Sequence, residues 1–358
     1  MNKRFCVLTM MVALALVAGS AFAQDQDTLP AHGRFARLAP KPSTDTTKPP
    51  ASLQTWAGTF TYQNQTNHFT MVGTDPSSTN TTTTIPVFVV PVRLGYKGSN
   101  GSKTIFDPST AKLSNGQTVI QNVLASPIFN NLDYTQGGTD LGNTQYIDAY
   151  QRGNFWTNVM TNSNYHVLLG TPTVLPTRTL VVPTADGSVG KEFGITVGLA
   201  DINWFDTQIN AVIKHYTQIT PNSLVIFVTY DSYLTEFGSC CIGGYHSATG
   251  SQTYAHFTYI DHPGIFSQDV SALSHEIGEW MDDPLTNNTQ GACGGLLENG
   301  DPLEGEANYG GYPYQLNGFT YNLQDLVFLK YFGQTPSTSV NSWWTFQGTT
   351  LSVCQNGQ

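Results

Sequence analysis

Residues 274–284 read SHEIGEWMDDP, and within them His275, Glu276 and Glu279 have the types and spacing of a metal site on a helix. The hydrolytic zinc signature His-Glu-x-x-His places two imidazoles four residues apart; here the second position carries a carboxylate, Glu279. Four residues make about one helical turn, so His275 and Glu279 project from one face within reach of a single cation. Glu276 lies about 100° further round, where a general base takes a proton from water held by the ion. The expected metal ligands are therefore His275 and Glu279, with Glu276 as the catalytic base. One His and two Glu on a helix also describe a solvated face, so a third ligand has to come from elsewhere.

Residues 296–306, LLENGDPLEGE, follow a Gly-rich stretch and supply acidic candidates. Glu298, 19 residues beyond Glu279, leaves the chain room to turn and come back. Glu298 and Asp301 are the expected closing ligands, Asp301 alternatively orienting His275, while Glu304 and Glu306 read as an exposed acidic turn. One imidazole with two carboxylates leaves a dication formally neutral, so water on it is acidified less than in a site with two imidazoles. Zinc is the expected cofactor. Calcium or manganese, drawing on Asp282, Asp283 and Asn287, is the oxygen-seeking alternative or addition. His246, in GGYHSATG, is a second catalytic candidate. A loop between strands is where it would orient substrate or stabilise an oxyanion, and a surface histidine fits the same pattern. His256 and His262, in strand and turn contexts, have no assigned chemistry. There is no Gly-rich phosphate loop and no GxSxG nucleophile elbow.

The elements that must position these residues are legible in outline. Val270, Leu273, Ile277 and Trp280 recur at i, i+3, i+7 and i+10, an apolar stripe for packing the motif helix on a sheet. Ser267 or Asp269 is the expected N-cap, and Pro284 ends the helix near Asp283. Gly278 costs such a helix ~1 kcal/mol against Ala and suits close packing. Upstream, Phe205, Ile209, Val212 and Tyr216 stripe a helix over residues 204–216 with Asn203 as cap, and 144–160 reads as another. Residues 224–230, LVIFVTY, form a continuous apolar run of buried-strand length, and 253–260 read as a further strand. Earlier strands are expected at 59–62, 68–72 and 85–96; Pro86 and Pro91 make the last an edge or broken strand. This order predicts an α+β fold, a zincin-like mixed sheet carrying an active-site helix, with a β-rich N-terminal portion.

The first 23 residues have the pattern of a secretory signal: Lys3 and Arg4, an apolar run over 7–17, then Ala21-Phe22-Ala23. Residues 24–52, rich in Pro, Thr and Ser, read as a disordered leader, and 53–358 as one domain with a possible β-rich subdomain over 53–200. The expected location is extracytoplasmic, without a membrane span. Net charge is −10, which disfavours nucleic acid as a partner. Between residues 215 and 329 there is no Lys or Arg, yet 13 of the 25 acidic residues lie there, a distribution that suits a solvated acidic surface or a bound cation. Outside the signal four cysteines remain, Cys240, Cys241, Cys293 and Cys354, which allow three disulfide connectivities. One of them bridges Cys293 to Cys354 and leaves Cys240 beside Cys241. Thiolate zinc ligation lacks the CxxC spacing.

Taken together, Gly244-Tyr245-His246-Ser247, His275-Glu276-x-x-Glu279 with Asp283-Pro284, Glu298-x-Gly300-Asp301, and the run from Tyr321 to Phe328 resemble the exordium (phosphate-induced) proteins of plants and their secreted bacterial relatives. The resemblance spans roughly residues 225–330. It implies a secreted, zincin-like protein with His275, Glu279 and either Glu298 or Asp301 as ligands; the Trp280-Met281 pair departs from the smaller residues expected there. The function expected is a secreted metallopeptidase acting on a peptide or protein. Its rival is a non-catalytic extracytoplasmic or cell-surface binding protein with a structural ion. In that case Tyr309, Tyr312, Tyr314, Trp343 and Trp344 offer a surface for stacking cell-wall glycan, core packing being the plainer use of such aromatics.

Overall fold

The computed structural model describes residues 33–36, 38–42, 52–62, 64–98, 101–136, 139–288, 299–300, 311–324, 326–329 and 343–345, all within one compact unit, Ala31–Gln358. The expected signal segment, Glu298, Asp301, Glu304, Glu306, Cys293, Cys354 and Tyr309 lie outside the described residues. The architecture is mixed α and β with strands dominant, consistent with the expected α+β class.

The main sheet runs in the order Arg178–Val182, Val87–Lys97, Leu224–Tyr230, Gln252–Tyr259, Gly244–Thr249. The first four strands are parallel, and the last, hereafter the edge strand, pairs antiparallel with Gln252–Tyr259. Leu224–Tyr230 shows no polar alternation because both of its faces are covered. Leu224, Ile226 and Val228 enter the core under the motif helix, Ser271–Asp282; Val225 and Phe227 enter the core under the opposite helix, Ile202–His215. The segment 53–200 contributes Val87–Lys97 and Arg178–Val182 to this same sheet. Among the described residues no helix is long and apolar enough to cross a membrane.

Several local expectations are corrected. Pro86 does break the run at 85–96, separating Thr82–Ile85 from Val87–Lys97, but the second piece is interior rather than an edge. It pairs with Leu224–Tyr230 up to Pro91 and with Arg178–Val182 from Val92 onward, so the missing N–H falls where one ladder gives way to the next. The helix expected over 144–160 is two, Tyr146–Asn154 and Trp156–Val159, parted at Phe155. The opposite helix is capped by Asp201, whose carboxylate accepts from the amides of Asn203 and Trp204 at 2.9 Å each. Neither Ser267 nor Asp269 caps the motif helix. Both have left-handed backbone, and the Asp269 carboxylate instead accepts from the backbone and side-chain amides of Asn322. Gly278 serves the close packing expected of it: a Cβ there would lie 2.4 Å from a methyl of Leu326.

Part of the stretch read as a disordered leader is ordered. Residues 33–36 and 38–42 lie alongside the edge strand, with Phe35 and Ala36 buried. Composition hides this because the segment gains its order from pairing with a sheet edge, not from a periodicity of its own. Cys240 and Cys241 are joined to each other in a disulfide, so neither is available as a thiolate.

Candidate metal centre

The edge strand and the motif helix bring four expected site residues, His246, His275, Glu276 and Glu279, into one buried cluster. Successive side chains of a strand point to opposite faces, so Tyr245 faces the opposite helix and His246 faces the motif helix. His246 lies within a strand, not a loop, and is 1% exposed, so it is a buried member of the cluster and not a surface histidine. Its Nε2 donates to the carbonyl of Asp283 at 3.1 Å. Its Nδ1 faces the motif helix, 3.5 Å from Glu276 Oε2 and 3.7 Å from Glu279 Oε2.

His275 is arranged the same way with its nitrogens exchanged. Nδ1 donates to the Gln324 side-chain carbonyl at 2.5 Å, and Nε2 lies 3.2 Å from Glu279 Oε1. Glu279 sits between the two imidazoles and also accepts from the Gly300 amide at 3.2 Å. Gly244 admits Glu276 against the edge strand, since a Cβ there would lie 2.5 Å from Glu276 Oε1. His246, Glu276 and Glu279 offer ligand atoms within 4.8 Å of one another, and with His275 none of the four is more than 3% exposed.

This donor set fits a divalent cation. An imidazole that donates one N–H to a fixed carbonyl oxygen has its tautomer set and its other nitrogen aimed, as metal-binding histidines do. Two carboxylates beside two such nitrogens supply the charge that a dication neutralises, in a stretch of chain with no Lys or Arg. The one other such grouping among the described residues, Glu192 with Cys240 and Cys241, has both sulfurs in the disulfide.

Two of the extra oxygen donors expected from the helix end, Asp282 and Asp283, accept hydrogen bonds from other groups. Asp282 accepts from the side-chain amides of Gln151 and Asn299, and burial pushes its carboxyl up to about 8. Asp283 closes the turn after the helix, its carboxylate accepting from the amides of Asn287 and Asn288. His256 lies across the sheet, against Phe205 and Tyr245, and hydrogen-bonds Thr229 at 3.0 Å. Burial alone holds its pKa near 3. Tyr314 packs on Tyr134 and Tyr146 at ring-centre distances of 5.8 and 5.3 Å, the core use of an aromatic.

Gln324 is missed from sequence as a holder of His275, although it lies in the run from Tyr321 to Phe328. Its strand, Phe319–Gln324, packs beside the motif helix through the Gln324 amide, which donates to Ser274 Oγ at 2.8 Å. The sequence signal for His246 is the hairpin itself: six residues either side of Gly250-Ser251, with Tyr245 and His246 alternating. Comparison with family models, curated proteins and solved structures finds no match for this chain.

Proposed function

We propose that the chain is an extracytoplasmic metal-dependent hydrolase of zincin type, a relative of the exordium group, cleaving peptide bonds with zinc as its cofactor. In this reading His275, Glu279 and His246 hold the ion, and Glu276 is the general base. Glu298 and Asp301 remain candidates for a further carboxylate. The observation that carries it is the convergence of His246, from a separate strand, on the Glu276 and Glu279 carboxylates of the motif helix. When bound, the dication acidifies a coordinated water and polarises the carbonyl under attack. Glu276, one residue after His275 and on the far side of Glu279 from it, receives the proton and passes it to the leaving amine.

Elemental mass spectrometry on protein purified without chelator tests the reading. About one zinc per chain is expected in the wild type, and none in His246→Ala or in the His275→Ala, Glu279→Ala double variant. Glu276→Gln should keep its zinc and lose hydrolysis of a peptide library. A wild type free of metal, or metal retained by both ligand variants, would overturn the site.

Burial favours a second reading, a non-catalytic protein with a structural ion. All four side chains are closed off from solvent, as in a structural site where no ligand position is left open. It predicts zinc without hydrolysis in the wild type, and a loss of melting temperature on chelation.

A further inference from the structure

Residues 33–36 run parallel to the chain at Cys241–Gly244, and residues 38–42 run parallel to the edge strand that follows it. The amides of Arg34, Ala36 and Lys41 donate to the carbonyls of Cys241, Gly244 and Ala248 at 2.8, 3.1 and 2.8 Å. In return Gly243 and Gly250 donate to the carbonyls of Arg34 and Lys41 at 3.0 and 2.7 Å, and Ser247 Oγ donates to Leu38 O at 2.9 Å. This is the backbone pattern of an extended peptide taken up by a sheet edge.

Two receptors for side chains flank the ladder, one on each face of the sheet. Phe35 stacks on the His275 imidazole with ring centres 3.6 Å apart and rests against Phe266 at 5.1 Å. Six residues later the Lys41 ammonium pairs with the carboxylate of Asp206. Asp206 is wholly buried, on the opposite helix, and accepts from Tyr245 and Tyr254 hydroxyls at 3.1 and 2.7 Å and from Asn210 at 3.1 Å. The Lys41 side chain itself is 44% exposed. The anion is thus built into the fold, while the cation arrives on the added segment.

We propose that the edge of Gly244–Thr249 is a binding lane for an extended peptide carrying an aromatic residue at His275 and, six residues on, a basic residue at Asp206. Residues 33–36 and 38–42 are its resident occupant, and Phe35 covers His275. The lane stands independently of any metal; as a substrate class it rests on the hydrolase reading, in which it delivers a peptide bond beside His275 and Glu276.

The test uses the full chain, with chelator present throughout, so that a failed metal site leaves the result unaffected. The probe is a fluorescein-labelled decapeptide of residues 33–42, GRFARLAPKP, followed by anisotropy. A tethered occupant competes at a millimolar effective concentration, so the Phe35→Ala, Lys41→Ala variant should bind the probe about 10-fold or more tighter than the wild type. A probe with alanine in place of its Phe and Lys should bind that variant at least about 10-fold more weakly, and adding Asp206→Asn should erase the preference for Lys. Equal affinity of wild type and variant for the probe, or indifference to its Phe and Lys, overturns the proposal. Hydrogen exchange on the wild type guards against a variant that misfolds. Joint exchange of the Ala36, Lys41 and Gly250 amides, faster than those of the motif helix, supports a releasable occupant; protection equal to the helix overturns it.

Discussion

On the face of the main sheet covered by Ile202–His215, a buried carboxylate, Asp206, meets a lysine, two tyrosine hydroxyls and an asparagine amide. On the face covered by the motif helix, Glu276 and Glu279 meet two imidazoles whose other nitrogens are already committed to carbonyl oxygens. The two sets are separated by one residue of pleat: Tyr245 reaches Asp206 and His246 reaches the glutamates. A lysine brings a fixed charge and closes its face as an ion pair. Each imidazole has one nitrogen committed to a carbonyl oxygen and turns the other toward the glutamates, so the second face gathers atoms that could hold a cation. Burial is common to both, and the chemistry of the partner separates them: one is closed as an ion pair, the other groups side chains that could hold a metal ion.

The largest effect should come from the bridge. Asp206→Ala takes the shared acceptor from Lys41, Tyr245, Tyr254 and Asn210, and should cost about 3–5 kcal/mol in urea unfolding, the same with or without chelator. The ligand face should behave oppositely. Zinc at about 100 times its Kd should stabilise the wild type by about 2.7 kcal/mol, an increment that chelator removes and that His246→Ala never shows. Asp206→Asn should keep that increment in full. Its loss there would mean that the two faces are coupled and the contrast drawn between them is wrong.

The motif helix was the legible half of the site because one segment carries both its chemistry and its apolar stripe. Val270, Leu273, Ile277 and Trp280 fix which face packs, and His275, Glu276 and Glu279 ride on it in known angular relation. The other half depends on long-range pairing. The hairpin that places His246 opposite Ala255 is a local signal, but the packing of that hairpin beneath the motif helix is not. Gln324 lies 49 residues from His275 and meets it only through tertiary packing. The placement of residues 33–36 and 38–42 is hidden for a related reason: a short Pro-containing segment has no signature until an open sheet edge is there to receive it. Asp269 misled as a cap because its carboxylate was claimed by Asn322, a partner from a distant hairpin.

His256 and Asp282, one buried near each helix, carry the contrast into pH. His256, among Phe205 and Tyr245, has a folded-state pKa near 3 against 6.5 unfolded. Between these values the unfolded chain binds the extra proton, so stability is lost as pH falls through that window, by about 1.4 kcal/mol per unit. Asp282 runs the other way: its carboxyl is raised to about 8, so it favours the folded state at low pH and loses that advantage as pH rises from about 4 toward 8. Subtracting a His256→Gln variant from the wild type isolates the histidine, since the carboxyls are common to both. The gap between them should close by about 1.4 kcal/mol per unit from pH 6.5 downward; a gap independent of pH would place water or a charge beside His256 and remove it from the apolar face.

The smallest effects separate the two ion pairs of the segment at the edge strand. Arg34 meets Glu236 at 2.6 Å with both side chains partly exposed, 40% and 28%, so the pair competes with water and is screened. Arg34→Ala should cost no more than about 0.5 kcal/mol, and nothing measurable in 1 M salt, where the screening length is about 3 Å. Lys41→Ala removes the cation from a carboxylate that has no solvent of its own, and should cost about 1–2 kcal/mol with little dependence on salt. A double-mutant cycle of Lys41→Ala with Asp206→Asn assigns that difference to the pair itself. Coupling near zero would mean that the backbone ladder holds the segment and that Asp206 is no receptor; coupling that survives high salt ties the segment's place at the edge to the buried anion on the far face of the sheet.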